Sequence, residues 1–313
     1  MKKLGFIFPG QGCQYVGMGK EIYESFPQAK EVFEKSNKIL GKDITHLCFN
    51  GSMEELTSTE NNQVAIVTVS IAILEVIKSY GIKPMAMAGL SLGEYSALVG
   101  SGVVTFEEGL DIVRKRGLFM KEDSDNSKGA MAAVIGGSVE DIEEVCEELK
   151  PRGIISVANY NCPNQIVISG EEQLIDEAME MLKIKKVKRC VKLPVSGAFH
   201  TDLMKTASKK LRVELNNIQF NKTDIAILPN VIGEPIKDID SLSEILEKQV
   251  KSSVQWQKTI ESMIDMGIDT FIEVGPGKSL SGLVKKINKD VKVFNIEDRA
   301  SLETTLKTIE ISV

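Results

Sequence analysis

Met85-Ala86-Met87-Ala88-Gly89-Leu90-Ser91-Leu92-Gly93-Glu94-Tyr95-Ser96-Ala97-Leu98-Val99 reads as an apolar strand that turns sharply into a helix. Residues 85–89 suit a buried strand and 94–99 suit a helix, with Gly89-Leu90-Ser91-Leu92-Gly93 between them. Glycines on both sides of the serine let the chain reverse tightly. They leave the Ser91 hydroxyl exposed at a helix N-terminus, where developing negative charge is stabilised. The same pentapeptide equally fits a strand-to-helix turn with a capping serine.

Working outward, Leu4–Phe8, 226–232, Thr270–Val274 and 291–296 are further strand-like runs separated by longer amphipathic ones. That rhythm predicts a mostly parallel α/β sheet. Between residues 125 and 194 the rhythm changes to strand 130–135, helix Val139–Leu149, strands 154–158 and 165–169, helix 171–182 and strand 187–193. This βαββαβ order is the ferredoxin-like pattern. The polar stretch 122–129 reads as the linker into this unit and 194–197 as the return. The expected organisation is a large α/β subdomain of residues 1–126 and 197–313, with a small ferredoxin-like subdomain, 127–196, inserted into it.

The start, Met1-Lys2-Lys3 and then Leu4–Phe8, mimics a signal peptide, but Pro9-Gly10 breaks the apolar run too early for one, so it reads as a buried first strand. The longest apolar stretch, 64–74, contains Thr68 and Ser70 and stops at Glu75; it reads as a buried helix too short to span a bilayer. With 313 residues, 42% of them hydrophobic and 26% charged, the chain can build a full core, which excludes intrinsic disorder. Acidic residues outnumber basic ones by 44 to 38, so neither a broad nucleic-acid surface nor a membrane surface is expected. Five cysteines without a CxxC pair predict reduced thiols and a cytoplasmic protein. With only His46 and His200 available, no zinc site is expected.

A serine nucleophile needs a base, and histidine is the usual one near neutral pH. His46 sits in an ordinary amphipathic segment and reads as a surface or half-buried residue. His200 ends Ser196-Gly197-Ala198-Phe199-His200, a small-residue turn between a strand and a helix, where α/β sheets build their sites. Without Ser91 it would read as a helix-start histidine. Pro9-Gly10-Gln11-Gly12 follows the first strand but is no dinucleotide fingerprint, because Tyr15 stands where the third glycine would be. Gly275-Pro276-Gly277-Lys278-Ser279 is no P-loop, because Ile272 stands where its first glycine would be. The Gln11 backbone N–H is thus free to serve an oxyanion.

Gly10-Gln11-Gly12, Gly89-Leu90-Ser91-Leu92-Gly93-Glu94, Arg116-Gly117, Gly197-Ala198-Phe199-His200 and Glu273-Val274-Gly275-Pro276-Gly277 occur in an order and spacing similar to those of malonyl-CoA:acyl carrier protein transacylases. The resemblance runs nearly end to end and implies an α/β-hydrolase-like large subdomain with a ferredoxin-like insertion. It implies Ser91 as the acylated nucleophile, His200 as its base, and Gln249 as the residue whose carbonyl orients the histidine. It also implies an oxyanion hole from the Gln11 and Leu92 N–H groups, and Arg116 as the grip on the malonyl carboxylate. Many relatives carry histidine where this chain has Leu90, so any auxiliary role of that residue is absent or supplied elsewhere.

Periodicity does not select Arg116. Phe106, Leu110, Val113, Gly117 and Met120 form the apolar stripe of one helix, and Arg114 and Arg116 both flank it, so either could snorkel along the core edge. The resemblance implies ping-pong transfer of malonyl from malonyl-CoA to the phosphopantetheine thiol of acyl carrier protein, in fatty-acid synthesis, with no metal or redox cofactor. Phe199 is expected to crowd substituents on the malonyl α-carbon. The alternatives are a thioesterase-like or lipase-like hydrolase using the same Ser91–His200 pair, and a non-catalytic carrier-binding module. For docking an acidic carrier, the run Lys183, Lys185, Lys186, Lys188, Arg189 and Lys192 is the expected patch, with Lys285, Lys286 and Lys289 competing. A monomer is expected.

Overall fold

The computed structural model describes residues 3–195 and 197–309. Met1, Lys2 and Ser196, the last in the expected return turn, lie outside the described residues. One sheet is built from β1 (Leu4–Phe8), β2 (Ala86–Gly89), β7 (Ala226–Ile227), β8 (Thr270–Val274) and β9 (Lys292–Ile296), in the order β7-β2-β1-β8-β9, every neighbouring pair parallel. All five residues of β1 and all five of β8 are buried. Helices cover both faces of such a sheet, which is why these runs are apolar without alternation. Because β2, β1 and β8 are adjacent and parallel, the segments that follow them leave the same edge of the sheet. The elbow, the Gly10-Gln11-Gly12 loop and the Glu273–Gly277 loop are thereby gathered in one place.

The expected strand 226–232 is only two residues long. Pro229 has no N–H for a ladder, and the Ile232 and Gly233 N–H groups turn back to its carbonyl. The helix around 64–74 also differs from expectation. It extends over Thr59–Ser79, 21 residues, long and apolar enough by length and composition to cross a membrane. Its most apolar window is 83% buried inside the protein. Every residue from Val64 to Leu74 is buried, and Thr68 Oγ1 donates to Ser36 Oγ at 3.0 Å, so the helix serves as the core of the large unit.

The second sheet holds β3 (Gly129–Ile135), β4 (Ile155–Cys162), β5 (Gln165–Glu171) and β6 (Arg189–Lys192) in the antiparallel order β4-β5-β3-β6, the order of a ferredoxin-like sheet. Helices Val139–Leu149 and Glu172–Ile184 pack on it around Ala132, Val134, Val145, Ile168, Ile175 and Leu182. β4 runs four residues beyond the expected 158, through two irregularities in register, because Val254 of the large unit pairs with it. The Val254 N–H donates to the Ala158 carbonyl and the Tyr160 N–H donates to the Val254 carbonyl. β6 is shorter than the expected 187–193, since Lys186 turns through a left-handed conformation (φ 61°) just before it.

Candidate active site

Ser91 has φ 51° and His200 has φ 63°, two of the four non-glycine residues with positive φ among the described residues. Such conformations cost about 1–3 kcal/mol each and persist only where the surroundings over-determine them. At the elbow the surroundings are close. A Cβ on Gly93 would lie 2.1 Å from the Phe8 carbonyl oxygen, and one on Gly10 would lie 2.4 Å from that of Leu90. Only glycines allow β1, its following loop and the turn to pack this tightly. The Ser91 N–H donates to Asn230 Oδ1 at 2.6 Å, and Asn230 Nδ2 donates to the Gly89 carbonyl at 2.7 Å. Gln249 Nε2 donates to the Ser91 carbonyl at 2.7 Å. Both peptide groups of the strained serine are thus held.

Ser91 Oγ lies 2.8 Å from His200 Nε2, and His200 Nδ1 lies 2.8 Å from the Gln249 carbonyl oxygen. A carbonyl can only accept, so Nδ1 carries the proton and Nε2 is left with a lone pair facing the serine hydroxyl. Burial pushes the His200 pKa down to about 4, with the Arg116 charge adding to the effect. The imidazole is therefore neutral near pH 7, with the Nε2 lone pair free to accept a proton. His46 is exposed, its backbone N–H taken by the Asp43 cap of helix Ile44–Asn50, far in role from any nucleophile.

The structure separates the two arginines that periodicity left equal. Arg114 turns to the surface and pairs with Asp111 at 2.6 Å. Arg116 is 1% exposed and donates to Gln63 Oε1 at 2.7 Å, Gln249 Oε1 at 3.1 Å and Ser91 Oγ at 3.2 Å. The guanidinium also stands 5.4 Å from the centre of the Tyr95 ring. No carboxylate bonds it, and its Nε has no partner. A desolvated guanidinium with no carboxylate hydrogen-bonded to it, beside a serine hydroxyl, is chemically suited to receive an anion.

The Gln11 and Leu92 N–H groups, on the two loops that meet at Gly10 and Leu90, have no acceptor among the described residues. Phe199 is buried next to His200 in sequence, at 6% exposure. Glu273 is not part of the constellation. Its carboxylate accepts from the Leu280 and Ser281 N–H groups and so caps helix Ser279–Ile287 from within the core. Among the described residues no group of three or more His, Cys, Asp or Glu side chains could hold a metal ion.

Three residues at the site received no role from the motifs, although Glu94 closes the stretch 89–94. Gln63, Glu94 and Asn230 all hold the constellation from buried positions. Glu94, an acid inside the apolar run 94–99, and Asn230, directly after Pro229 at a strand end, were the only hints. The basic run 183–192 is reduced by its tertiary neighbours. Lys185 pairs with Asp141 and Glu144, Lys192 with Glu172 and Asp176, and Lys183 with Glu180. Lys186, Lys188 and Arg189 are exposed without an ion pair among the described residues, next to Ile184, which is 81% exposed. In the competing patch Lys286 donates to Gln165 Oε1 at 2.9 Å.

The family model described as acyl transferase domain matches residues 5–305. The malonyl CoA-acyl carrier protein transacylase of Bacillus subtilis (strain 168) is 42% identical over 311 residues, covering 99% of this chain and 98% of that protein. The crystal structure of the malonyl CoA-acyl carrier protein transacylase from Clostridium perfringens Atcc 13124 superposes with a TM-score of 0.95 at 49% identity, covering 98% of this chain and 97% of that one. A malonyl-transacylase solved in complex with its type II PKS acyl-carrier protein gives a TM-score of 0.95 at 35% identity, covering 98% and 100%.

Proposed function

The chain belongs to the acyl transferase family, and on that premise we propose that it transfers malonyl from malonyl-CoA to the phosphopantetheine thiol of acyl carrier protein through an acyl-Ser91 intermediate. The observation that carries this reading is Arg116, a buried guanidinium without a carboxylate partner, 3.2 Å from Ser91 Oγ. A planar fork suits the free carboxylate of a malonyl group and leaves its thioester end beside the serine.

In the first half-reaction Ser91 Oγ attacks the thioester carbonyl while His200 Nε2 takes its proton. The Gln11 and Leu92 N–H groups hold the oxyanion. Collapse breaks the carbon–sulfur bond, and the imidazolium returns the proton to the departing CoA sulfur. In the second, the carrier thiol gives its proton to His200 and attacks the serine ester, and the proton ends on Ser91. Thioester is exchanged for thioester, so no redox group is called on. A hydrolase of the same Ser-His type is not favoured, because the relatives are transacylases and a simple ester hydrolase gains nothing from Arg116.

We further place the reaction in fatty-acid synthesis, in the cytoplasm, as the work of a monomer. The carrier docks at Lys186, Lys188 and Arg189 around the exposed Ile184, a basic rim with an apolar centre that suits an acidic partner. The test is incubation with labelled malonyl-CoA, mapping of the ester, and a chase with holo carrier protein or buffer. Label on Ser91 that moves to the carrier and leaves slowly into water is the expected result. Undiminished turnover by Ser91→Ala overturns the mechanism.

A further inference from the structure

Glu94 takes no part in these proton transfers, yet it is 1% exposed and lies in the first turn of helix Gly93–Gly100. Its Oε2 accepts two hydrogen bonds, from the Asn230 backbone N–H at 3.1 Å and from Gln249 Nε2 at 3.0 Å, while its Oε1 makes none. Those donors belong to the two residues that grip the peptide groups of Ser91. Gln249 is also the residue whose carbonyl faces His200. Asn230 and Gln249 come from separate segments, a loop after β7 and the end of helix Leu242–Gln249. Both meet the elbow, and the Glu94 carboxylate is what joins them to each other.

We propose that Glu94 is a positioning residue, a peg that locks Asn230 to Gln249 and through them holds both the left-handed Ser91 and the His200 ring in attacking geometry. An ion pair with Arg116 is the competing role, but the hydrogen bonds of Arg116 go to Gln63, Ser91 and Gln249. Burial, opposed by the two hydrogen bonds and the Arg116 charge, sets the Glu94 pKa at about 7. A proton on the unpartnered Oε1 would leave both bonds to Oε2 in place, so the peg works by its acceptor oxygen rather than by its charge. Glutamine supplies the same acceptor without the charge, and alanine supplies neither.

The inference rests on Ser91 being the acylated residue, and the experiment keeps the two apart. Single-turnover acylation by labelled malonyl-CoA is followed by peptide mass spectrometry for the unsubstituted enzyme, Glu94→Ala and Glu94→Gln, with thermal unfolding to verify folding. Glu94→Ala should slow acylation about a hundredfold, the scale of a small misplacement of reacting groups, and change KM for malonyl-CoA less than about threefold. Glu94→Gln should keep at least about a tenth of the unsubstituted rate. Asn230→Ala keeps the backbone N–H that Glu94 accepts but removes the side-chain acceptor of the Ser91 N–H, the next link along the same chain; it should slow acylation too, and the double variant should fall short of the product of the two single losses. If Glu94→Ala does not fold, Asn230→Ala and Glu94→Gln decide. A loss confined to KM, a Glu94→Gln rate as low as that of Glu94→Ala, or an unchanged rate in Asn230→Ala overturns the peg while label still maps to Ser91. No label on Ser91 in the unsubstituted enzyme overturns the reading of the site itself.

Discussion

Arg116 and Lys185 are both cations with more than one hydrogen-bond partner, and they sit in opposite circumstances. Arg116, under the elbow of the large unit, is buried and meets only neutral oxygens. Lys185, on the rim of the inserted unit, meets two carboxylates and keeps 28% of its side chain in water. Burying an unpaired charge costs several kcal/mol, whereas exposed ion pairs contribute about 0–1 kcal/mol. The large unit therefore carries an expensive group that its stability does not need, and the small unit carries an inexpensive one. Function is to be sought where the electrostatics look worst.

The largest expected effect lies in the cleft. His200→Ala should lower malonyl transfer at least about a hundredfold, and a near-wild-type rate would erase the distinction between the units. With the His200 pKa depressed to about 4, the acylation rate should hold as pH falls from 7 toward 5 and drop only near 4. The unfolded chain protonates this histidine first, near its ordinary 6.5, so stability declines as pH falls between about 6.5 and 4. Rates must therefore be read on enzyme shown by circular dichroism to be folded at each pH.

Next comes Arg116→Ala, which removes a charge-assisted pair of about 1.5–3 kcal/mol and should cut kcat/KM for malonyl-CoA about 10- to 150-fold. Acetyl transfer should be spared or raised, because an acetyl group has no carboxylate and no longer faces an unmatched cation. Equal losses for both acyl groups would make Arg116 a structural residue like any other.

A smaller effect is expected at the inserted unit. Lys186→Glu with Lys188→Glu should raise KM for the carrier about two- to tenfold at low salt, through slower association, and the effect should fade at high salt. An unchanged KM would shift docking to Lys285 and Lys289. Smallest of all, Lys185→Ala should leave the denaturation midpoint close to that of the unsubstituted protein and turnover untouched, because water screens the pair. A large loss in a denaturation curve would show that the surface pair matters more than its exposure implies.

What the sequence made legible follows from how local each cause is. The elbow could be read from Gly89 to Gly93 because a strand, a tight turn and a helix start are all set by neighbouring residues. His200 followed by elimination, since the chain holds only two histidines. Arg116 could not be told from Arg114 without the family resemblance, because one helical turn places both beside the same apolar stripe. Gln249 acts on His200 through a backbone carbonyl, which every residue has, so no side-chain pattern could mark it. Asn230 and Glu94 matter only once the loop after β7 closes on the elbow. The same tertiary approach explains the misread strands. Val254 extends β4, and Pro229 cuts β7 short.

The order of the chain has a consequence for biosynthesis. During translation Ser91 leaves the ribosome first, and His200, Asn230 and Gln249 follow only after the whole inserted unit has been made. Until they emerge, the serine has no imidazole beside its hydroxyl, no brace for its left-handed backbone and no β7 to flank β2. In a nascent chain Ser91 thus carries an unassisted hydroxyl, and the reactivity proposed for it waits until the later segments fold back onto the earlier ones.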